Sequence, residues 1–145
     1  MDRHICRAKA KDTNEWIYGY YVKHNTVMTC FATDDPKPKH YILYDGSSCD
    51  WGFEPPLQMI EIIPETLGCC IDRQDKNGKW IFEGDILKGK VHGLHGYRVR
   101  KGVIKYVDFY NAFKLIVGRD DKEIPCPCEI IGNVYDNPYL LEESQ

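Results

Sequence analysis

The chain has 145 residues, of which 43% are hydrophobic, 28% charged and 12% aromatic, and its formal net charge is −3. This length suits one domain or two very small ones and is enough to bury a core. The acidic balance argues against overall attraction to nucleic acid or to an anionic membrane, although a local basic patch can still provide either. With no apolar run near the about 18 residues of a membrane span and no apolar signal core, we expect a cytoplasmic protein without a membrane partner.

Seven cysteines are spread over the sequence. Their number is odd, and no secretion signal accompanies them. We therefore expect reduced thiols that pack as small apolar groups, and no disulfide framework.

The first half of the chain is predicted to consist of short strands. Residues 5–9 and 15–22 form a hairpin across a polar break, and the second of these strands is aromatic and β-branched. The pattern predicts further strands at 26–32 and 41–44, and an exposed loop at 34–39. Residues 57–63 are apolar and fit either a buried strand or a short helix, because periodicity does not separate the two.

A turn at Asn77-Gly78 organises the second half of the chain. It lies between Gly68–Gln74 and Trp80–Phe82, and Asn-Gly predicts a two-residue type I′ turn because that turn needs positive φ at both positions. A second turn follows at Glu83, Gly84 and Asp85.

The rest of the chain alternates strands and turns. After a strand start at Ile86, residues 88–102 are glycine-rich and polar, which predicts a long loop or a loose hairpin. Strands of opposite sense are predicted at 102–107 and 112–117, a turn at 119–122 and a last strand at 128–134, where Gly132 indicates a bulge or a close backbone approach. The end of the chain reads as a short helical turn, with Asn137 as N-cap and Pro138 as its first residue.

The predicted fold class is mainly β. Small antiparallel sheets are expected, with the C-terminal half, residues 67–145, forming an SH3-like barrel that ends in a short helix. It packs against a β-rich N-terminal half, residues 1–66, in one compact unit.

Several spaced motifs resemble one known family. They are Arg7, EWIYGYY (15–21), PET (Pro64–Thr66), Gly68, DKNG (75–78), IFEGDI (81–86), GVIKY (102–106) and IIGNVYDNPYLLEE (130–143). In this order they resemble the YopX family of phage and prophage proteins, almost from end to end, with residues 25–59 matching least well. The sequence departs from the family pattern at 70–73, where Cys-Ile-Asp-Arg replaces an aromatic residue followed by Thr-Gly-Leu.

The resemblance implies a mainly β protein that a phage or an integrated prophage encodes, and so a protein of the bacterial host cytoplasm. It implies no established enzymatic activity and no cofactor. The positions it shares with the family have structural roles in turns and bends: Asn77, Gly78, Glu83, Gly84, Asp85, Gly132, Asn133, Asn137 and Pro138.

Residues 86–107 contain a concentration of basic side chains without an acid between Asp85 and Asp108. Glycines and an aromatic residue are interleaved with them, and mobile basic loops of this kind can follow a phosphate backbone and stack on a base. The alternative is a solvated loop that offsets acids elsewhere. The candidate nucleic-acid-binding residues are Lys88, Lys90, Tyr97, Arg98, Arg100, Lys101 and Lys105.

Two other groups of side chains are weaker candidates for chemistry. His92, His95, Cys126 and Cys128 are all plausible zinc ligands, but Cys-Pro-Cys has one intervening residue where zinc sites have two to four. Four acids surround the Asn-Gly turn and could act as general acid and base or hold a divalent ion, yet acids beside turns more often bind backbone amides. These acids are Asp72, Asp75, Glu83 and Asp85.

Three functional hypotheses follow. The first is a phage accessory protein that acts by binding a protein partner or by self-association, without catalysis. Trp16, Tyr18 and Tyr20 share one face of a strand and Ile17, Gly19 and Tyr21 the other, which fits core packing on one face and a partner surface on the other. The second is a module that binds DNA or RNA through the basic segment 88–105. The third is a small metal-dependent hydrolase.

Overall fold

A computed structural model describes residues 4–25, 37–45 and 57–142. The predicted strand at 26–32 and half of the predicted loop at 34–39, residues 34–36, lie outside the described residues. The described part is mainly β, with antiparallel sheets and one short helix, as the sequence predicted. It divides into two compact units, His4–Leu67 and a second that begins at Gly68. No helix in the described ranges is long and apolar enough to cross a membrane.

The first unit contains four antiparallel strands in the order β4-β3-β2-β1. Their bounds are β1 Cys6–Lys9, β2 Trp16–His24, β3 Lys39–Asp45 and β4 Leu57–Glu61, followed by a 3₁₀ helix at Pro64–Thr66. The predicted first hairpin is confirmed, since Arg7 pairs with Tyr18 and Lys9 with Trp16. Most of residues 57–63, left open between strand and helix, is strand β4, and Ile62 adds an isolated bridge to Ala10.

The second unit contains seven strands and a short helix. Their bounds are β5 Gly68–Gln74, β6 Trp80–Phe82, β7 Asp85–Gly93, β8 Gly96–Val107, β9 Ala112–Val117, β10 Asp120–Lys122, β11 Cys128–Asn133 and α1 Tyr139–Glu142. Strands β5 and β6 form a hairpin, and the other five form an antiparallel sheet in the order β10-β9-β8-β7-β11.

Two predictions for this unit, the SH3-like barrel and the turn at 119–122, differ from the structure. The described strands close no barrel, because β10 and β11 are the two edges of the sheet, so the SH3-like barrel is not confirmed. The turn predicted at 119–122 is wrong in part: the chain reverses at Gly118-Arg119, and Asp120–Lys122 already pairs with β9. The charges on this short edge strand obscured it, although charged side chains are common on edge strands.

One face of the five-stranded sheet carries the core of the second unit. Its buried members are Ile81, Leu87, Val91, Ile104, Leu115 and Cys128, and half-buried apolar side chains such as Ile124 and Ile130 pack against them. Leu87, Ile104 and Leu115 lie on adjacent strands, and burial of each aliphatic side chain contributes about 1.5–3 kcal/mol. This core supports β7 and β8, the strands that contain the basic segment.

The turn at Asn77-Gly78 is not type I′. Only Gly78 has a positive φ, of +78°, and Gly78 N donates to Asp75 O at 3.0 Å while Asp75 N donates to Lys79 O at 2.8 Å. This is a three-residue loop in which a type I turn is followed by a left-handed glycine. The Asp75 carboxylate explains the difference, because it accepts hydrogen bonds from the backbone N–H of Asn77 and of Lys79 and so fixes the longer loop.

Of the two alternatives predicted for residues 88–102, the long loop is wrong and the hairpin is confirmed. The segment forms a regular ladder between β7 and β8. Strands are recognised in a sequence by apolar and polar residues that alternate, and that signal requires one buried face. Most side chains from Lys88 to Arg100 are exposed on both faces, so the alternation is missing.

The C-terminal elements show why this unit needs Gly132. The register between β11 and β7 shifts between Ile130 and Gly132, which confirms the predicted bulge, and a Cβ on Gly132 would lie 2.6 Å from Asn137 Oδ1. Asn133 Oδ1 accepts hydrogen bonds from Tyr135 N and Asp136 N and so fixes the next turn.

The expected helix cap is different from the observed one. The helix begins at Tyr139, so Pro138 precedes it, and Asn137 accepts the N–H of Leu140 through its backbone oxygen. The Asn137 side chain accepts instead from Asn133 N at 3.4 Å, which connects the helix start to the end of β11.

Candidate nucleic-acid interface

The basic segment forms a two-stranded hairpin within β7 and β8. The two strands pair in register from Ile86 to Gly93 on β7, and Leu94 and His95 form the two-residue turn. Gly96, at the end of the turn, adopts a φ of +96°, a backbone conformation that costs glycine little. Residues 88–101 are called the basic ribbon below.

The distal part of the basic ribbon extends beyond both neighbouring strands. β9 pairs with β8 only from Val103 onward, and β11 pairs with β7 only as far as Gly89. Val91 still packs in the core, so the part beyond the core consists of residues 92–97. Both edges of this part are therefore unpaired, and His92, Leu94, His95 and Tyr97 are exposed.

The basic side chains divide between the two faces of the ribbon. Residues that pair directly share a face, so Lys88 and Lys101 lie on one face with Lys90, while Arg98 and Arg100 lie on the other. His92 and Tyr97 pair across the lysine face in an edge-to-face contact, with ring centroids 5.4 Å apart. The structure thus brings the lysines and Tyr97 together and places the two arginines behind them.

Like charges face each other across the strands. Lys88 lies opposite Lys101, and Lys105 lies opposite Lys114. Each such pair of like charges destabilises a sheet by about 0.2–1 kcal/mol. Lys114 has compensating contacts, since it pairs with Glu123 and lies over the Tyr110 ring at 4.8 Å. Glu129 is the acid next to Lys88, but its carboxylate pairs with Lys76 at 2.7 Å.

Most of the candidate basic residues have no acidic partner. Within the described ranges, these side chains are exposed and make no ion pair: Lys88, Lys90, Arg98, Arg100 and Lys105. Lys101 is half-buried and has other contacts. The ribbon is therefore a local positive surface on a chain whose net charge is −3.

Two open clefts border the ribbon. The first is lined by basic side chains of both faces and by one carboxylate, Asp120, which lies 3.8 Å from Lys122 Nζ. Its basic lining includes Lys88, Arg98, Arg100, Lys101 and Lys105. The second cleft is lined by Lys90 and Tyr97 from the ribbon together with Tyr110 and Lys114, and two acids, Asp121 and Glu123, also border it.

Of the four acids near the β5–β6 hairpin, Asp75 binds the most backbone amides. Asp75 is buried and accepts hydrogen bonds from the N–H groups of Asn77, Lys79 and Ile130. Burial alone would raise the pKa of Asp75, but these hydrogen bonds outweigh it and lower the pKa below its usual value.

The other three acids do not converge on a site. Asp85 is buried and accepts from Phe82 N at 2.8 Å, and Glu83 accepts from Tyr106 N at 3.2 Å. Asp72 is exposed and has a φ of +57° in the irregular part of β5. A carboxylate that holds backbone amides is a turn-fixing group, which is the structural role expected of acids at such positions.

The four candidate zinc ligands are not gathered into a site. His92 and His95 are exposed on the ribbon, Cys126 is exposed, and Cys128 is buried in the core of the unit. In the part of the chain that the structure describes, no three His, Cys, Asp or Glu side chains are grouped to hold a metal ion. The cysteines described there carry free thiols, and burial raises the pKa of the Cys70 and Cys128 thiols.

Sequence reasoning missed two features of this surface. Leu94, at the tip of the ribbon, is fully exposed at 101%, and Lys114 adds a basic group beside Lys105. Gly-Leu-His-Gly was a usable signal for the tip, because glycines on both sides of two residues are typical of a tight turn. No signal within β9 alone pointed to Lys114, since its place depends on strand register.

Comparison with known proteins identifies the family of the chain. The family model described as YopX protein matches residues 6–142. The chain belongs to the YopX family. The resemblance inferred from its motifs is thereby confirmed. A search of curated proteins finds no match to this YopX-family protein.

Proposed function

We propose that this YopX-family protein is a phage or prophage accessory protein that acts by binding, without catalysis, and that the basic ribbon binds nucleic acid. One observation carries the proposal: four exposed cationic side chains on the basic ribbon, and Lys105 farther along β8, make no ion pair within the described residues. Between Asp85 and Asp108 the sequence has no acid to neutralise them. Asp75 and Asp85, beside the β5–β6 hairpin, support a role without catalysis, because they accept hydrogen bonds from backbone amides.

A polyanion fits this surface for an energetic reason. Lys88, Lys90, Arg98 and Arg100 make no ion pair within the described ranges, and a phosphate beside them supplies the opposite charge. Each phosphate that a lysine or arginine neutralises also releases condensed counterions, which is the main source of sequence-independent affinity. Tyr97, exposed at 73%, offers an aromatic face beside these charges.

The alternative explanation is edge protection. Charged side chains on an exposed strand prevent edge-to-edge aggregation, and β8 has a free edge from Gly96 to Lys101. The two explanations make different demands on where the charges lie. Edge protection needs a charged side chain at any position along the free edge of β8, whereas binding needs these particular cations to contact phosphates.

Fluorescence anisotropy with labelled duplex and single-stranded DNA tests the proposal. We expect Arg98→Gln and Lys90→Gln each to weaken binding several-fold and to lower the salt slope by about 1, because each removes one phosphate contact. Lys79→Gln is the matched control, since Lys79 is an exposed lysine of the β5–β6 turn and is not part of the ribbon. Equal affinity of all three variants and the wild type would refute the ribbon as the binding surface.

Self-association or a protein partner is the second candidate, and the first unit provides its observation. Tyr20, Leu43 and Met59 lie in register on one face of its sheet, and Tyr20 and Met59 are about half exposed, at 49% and 56%. Leu57 on the same edge strand is 68% exposed. Contiguous exposed apolar side chains of this kind mark interaction surfaces.

Size-exclusion chromatography with light scattering measures this second candidate. If the face joins two copies, Met59→Lys shifts the protein to the monomer mass, because the lysine charge would be buried in the interface. Asn25→Lys, an exposed position at the end of β2, is the control that keeps the wild-type mass. A wild-type protein that elutes as a monomer at high concentration rules out self-association through this face.

A further inference from the structure

The tip of the basic ribbon carries an apolar side chain that nothing in the second unit covers. Leu94 is 101% exposed, the highest value among the large apolar side chains described. Gly93 and Gly96 lie on either side of the turn, so the tip has little width except for Leu94 and His95. An isolated exposed leucine is ordinary on a protein surface, but this one lies at the end of a positively charged ribbon.

The distribution of charge favours duplex DNA over a single strand. A single strand would lie along one face of the ribbon and would use the charges of that face alone. The ribbon instead carries Lys88 and Lys90 on one face and Arg98 and Arg100 on the other. A groove has a phosphate wall on each side, and so it can contact cations on both faces at once.

The length of the ribbon also fits. Val91 is the last core residue, and Leu94 follows three residues later, which at about 3.4 Å per residue places the tip about 10 Å beyond the core. The minor groove is about 7.5 Å deep, so the tip can reach the base pairs while Lys90 and Arg98 stay at the level of the phosphates.

We infer that the basic ribbon inserts Leu94 between base pairs of duplex DNA from the minor groove and so bends the duplex. This inference rests on the proposed nucleic-acid-binding function. Apolar wedges of this size partly unstack a base step and kink the duplex toward the major groove, which widens the minor groove for the ribbon. The cost of the kink is least at flexible pyrimidine–purine steps, where binding is tightest.

Bending is measured by energy transfer between dyes on the two ends of a duplex with a central TA step. The wild type raises the transfer efficiency on binding. Leu94→Ala still binds the duplex with a strong salt dependence, because the cations remain, but loses most of the rise. Leu94→Met restores the rise, since its side chain is also long and apolar. Phe109→Ala is the matched control, because Phe109 is 88% exposed but lies at the opposite end of β8, and this variant bends like the wild type.

The outcomes separate the two proposals. Salt-dependent binding without a change in transfer efficiency, or a rise that Leu94→Ala keeps, overturns the wedge and leaves nucleic-acid binding in place. Binding of single-stranded DNA without binding of any duplex also overturns the wedge alone, and no binding of either at low salt overturns both. A duplex with a central mismatch provides an independent check: the wild type should prefer it several-fold over the matched duplex, and Leu94→Ala should lose that preference, because unstacking costs least at a mismatch.

Discussion

At the scale of single residues, Asp75 fixes the turn at Asn77-Gly78 between β5 and β6. Its Oδ1 accepts the N–H groups of Asn77 and Lys79 within the turn, and its Oδ2 accepts the N–H of Ile130 on β11 at 3.2 Å. One carboxylate therefore joins the β5–β6 turn to the last strand of the five-stranded sheet. The sequence predicted a turn with acids that bind backbone amides, but it could not predict the bond to Ile130, because that bond joins residues 55 positions apart.

We expect Asp75→Asn to lower the free energy of unfolding by about 2 kcal/mol, because the amide cannot accept from all of these N–H groups and leaves a buried donor without a partner. Urea denaturation measures the loss. Asp72→Asn is the control: Asp72 is exposed, and asparagine tolerates its positive φ as well as aspartate does, so its effect stays within about 0.5 kcal/mol.

The effect of Asp75→Asn on stability is expected to depend on pH. The folded protein holds the pKa of Asp75 below the about 3.9 of an unfolded aspartate. The carboxylate therefore stabilises the fold fully above about pH 4, and this contribution is lost as the pH falls below that value toward the folded pKa. The stability difference between wild type and Asp75→Asn should shrink over this acid range, and a difference that stays constant with pH would contradict the role given to the carboxylate.

At the scale of elements, β8 changes from a sheet strand into a ribbon strand at Gly102. A Cβ at this position would lie 2.6 Å from the backbone oxygen of Ile116 and 2.8 Å from Leu115 Cγ. The two strands therefore approach closely where the basic ribbon leaves β9. The glycines in this segment suggested a loop, whereas one of them is required by strand packing.

Gly102→Ala is expected to lower the free energy of unfolding by about 1–3 kcal/mol, because the backbone carbonyl of Ile116 must shift to admit the methyl group. Gly93→Ala is the control on the same hairpin, since the atom nearest to its added Cβ is 3.6 Å away. Thermal unfolding compares the two variants. Equal midpoint temperatures would show that the close approach at Gly102 does not affect the stability of the fold.

Elements with one buried face were predictable, and elements with two exposed faces were not. The strands at 102–107 and 112–117 were predicted because both runs are rich in apolar and β-branched residues, and Ile104 and Leu115 are buried. The basic ribbon has no such face beyond Val91, and so its regular pairing was hidden from the sequence. The composition of the site was predictable, whereas the division of lysines and arginines between two faces depends on strand register.

At the scale of the whole molecule, charge is distributed unevenly along the chain. The net charge is −3, yet the 22 residues from Ile86 to Val107 contain six lysines and arginines and no acid. Such a local surface attracts a polyanion even when the protein as a whole is acidic, because exposed charges farther apart than about 8–10 Å are screened at physiological salt. The local charge of the ribbon is therefore a better guide to binding than the net charge of the chain.

The most direct test is the dependence of duplex binding on salt. The wild-type association constant is measured against salt concentration, beside a variant with five substitutions: Lys88→Gln, Lys90→Gln, Arg98→Gln, Arg100→Gln and Lys105→Gln. Four or five phosphate contacts predict a wild-type slope of log K against log salt of about −4, and a slope near zero for the variant. A wild-type slope near zero, or the same steep slope in the variant, would contradict binding through the basic ribbon.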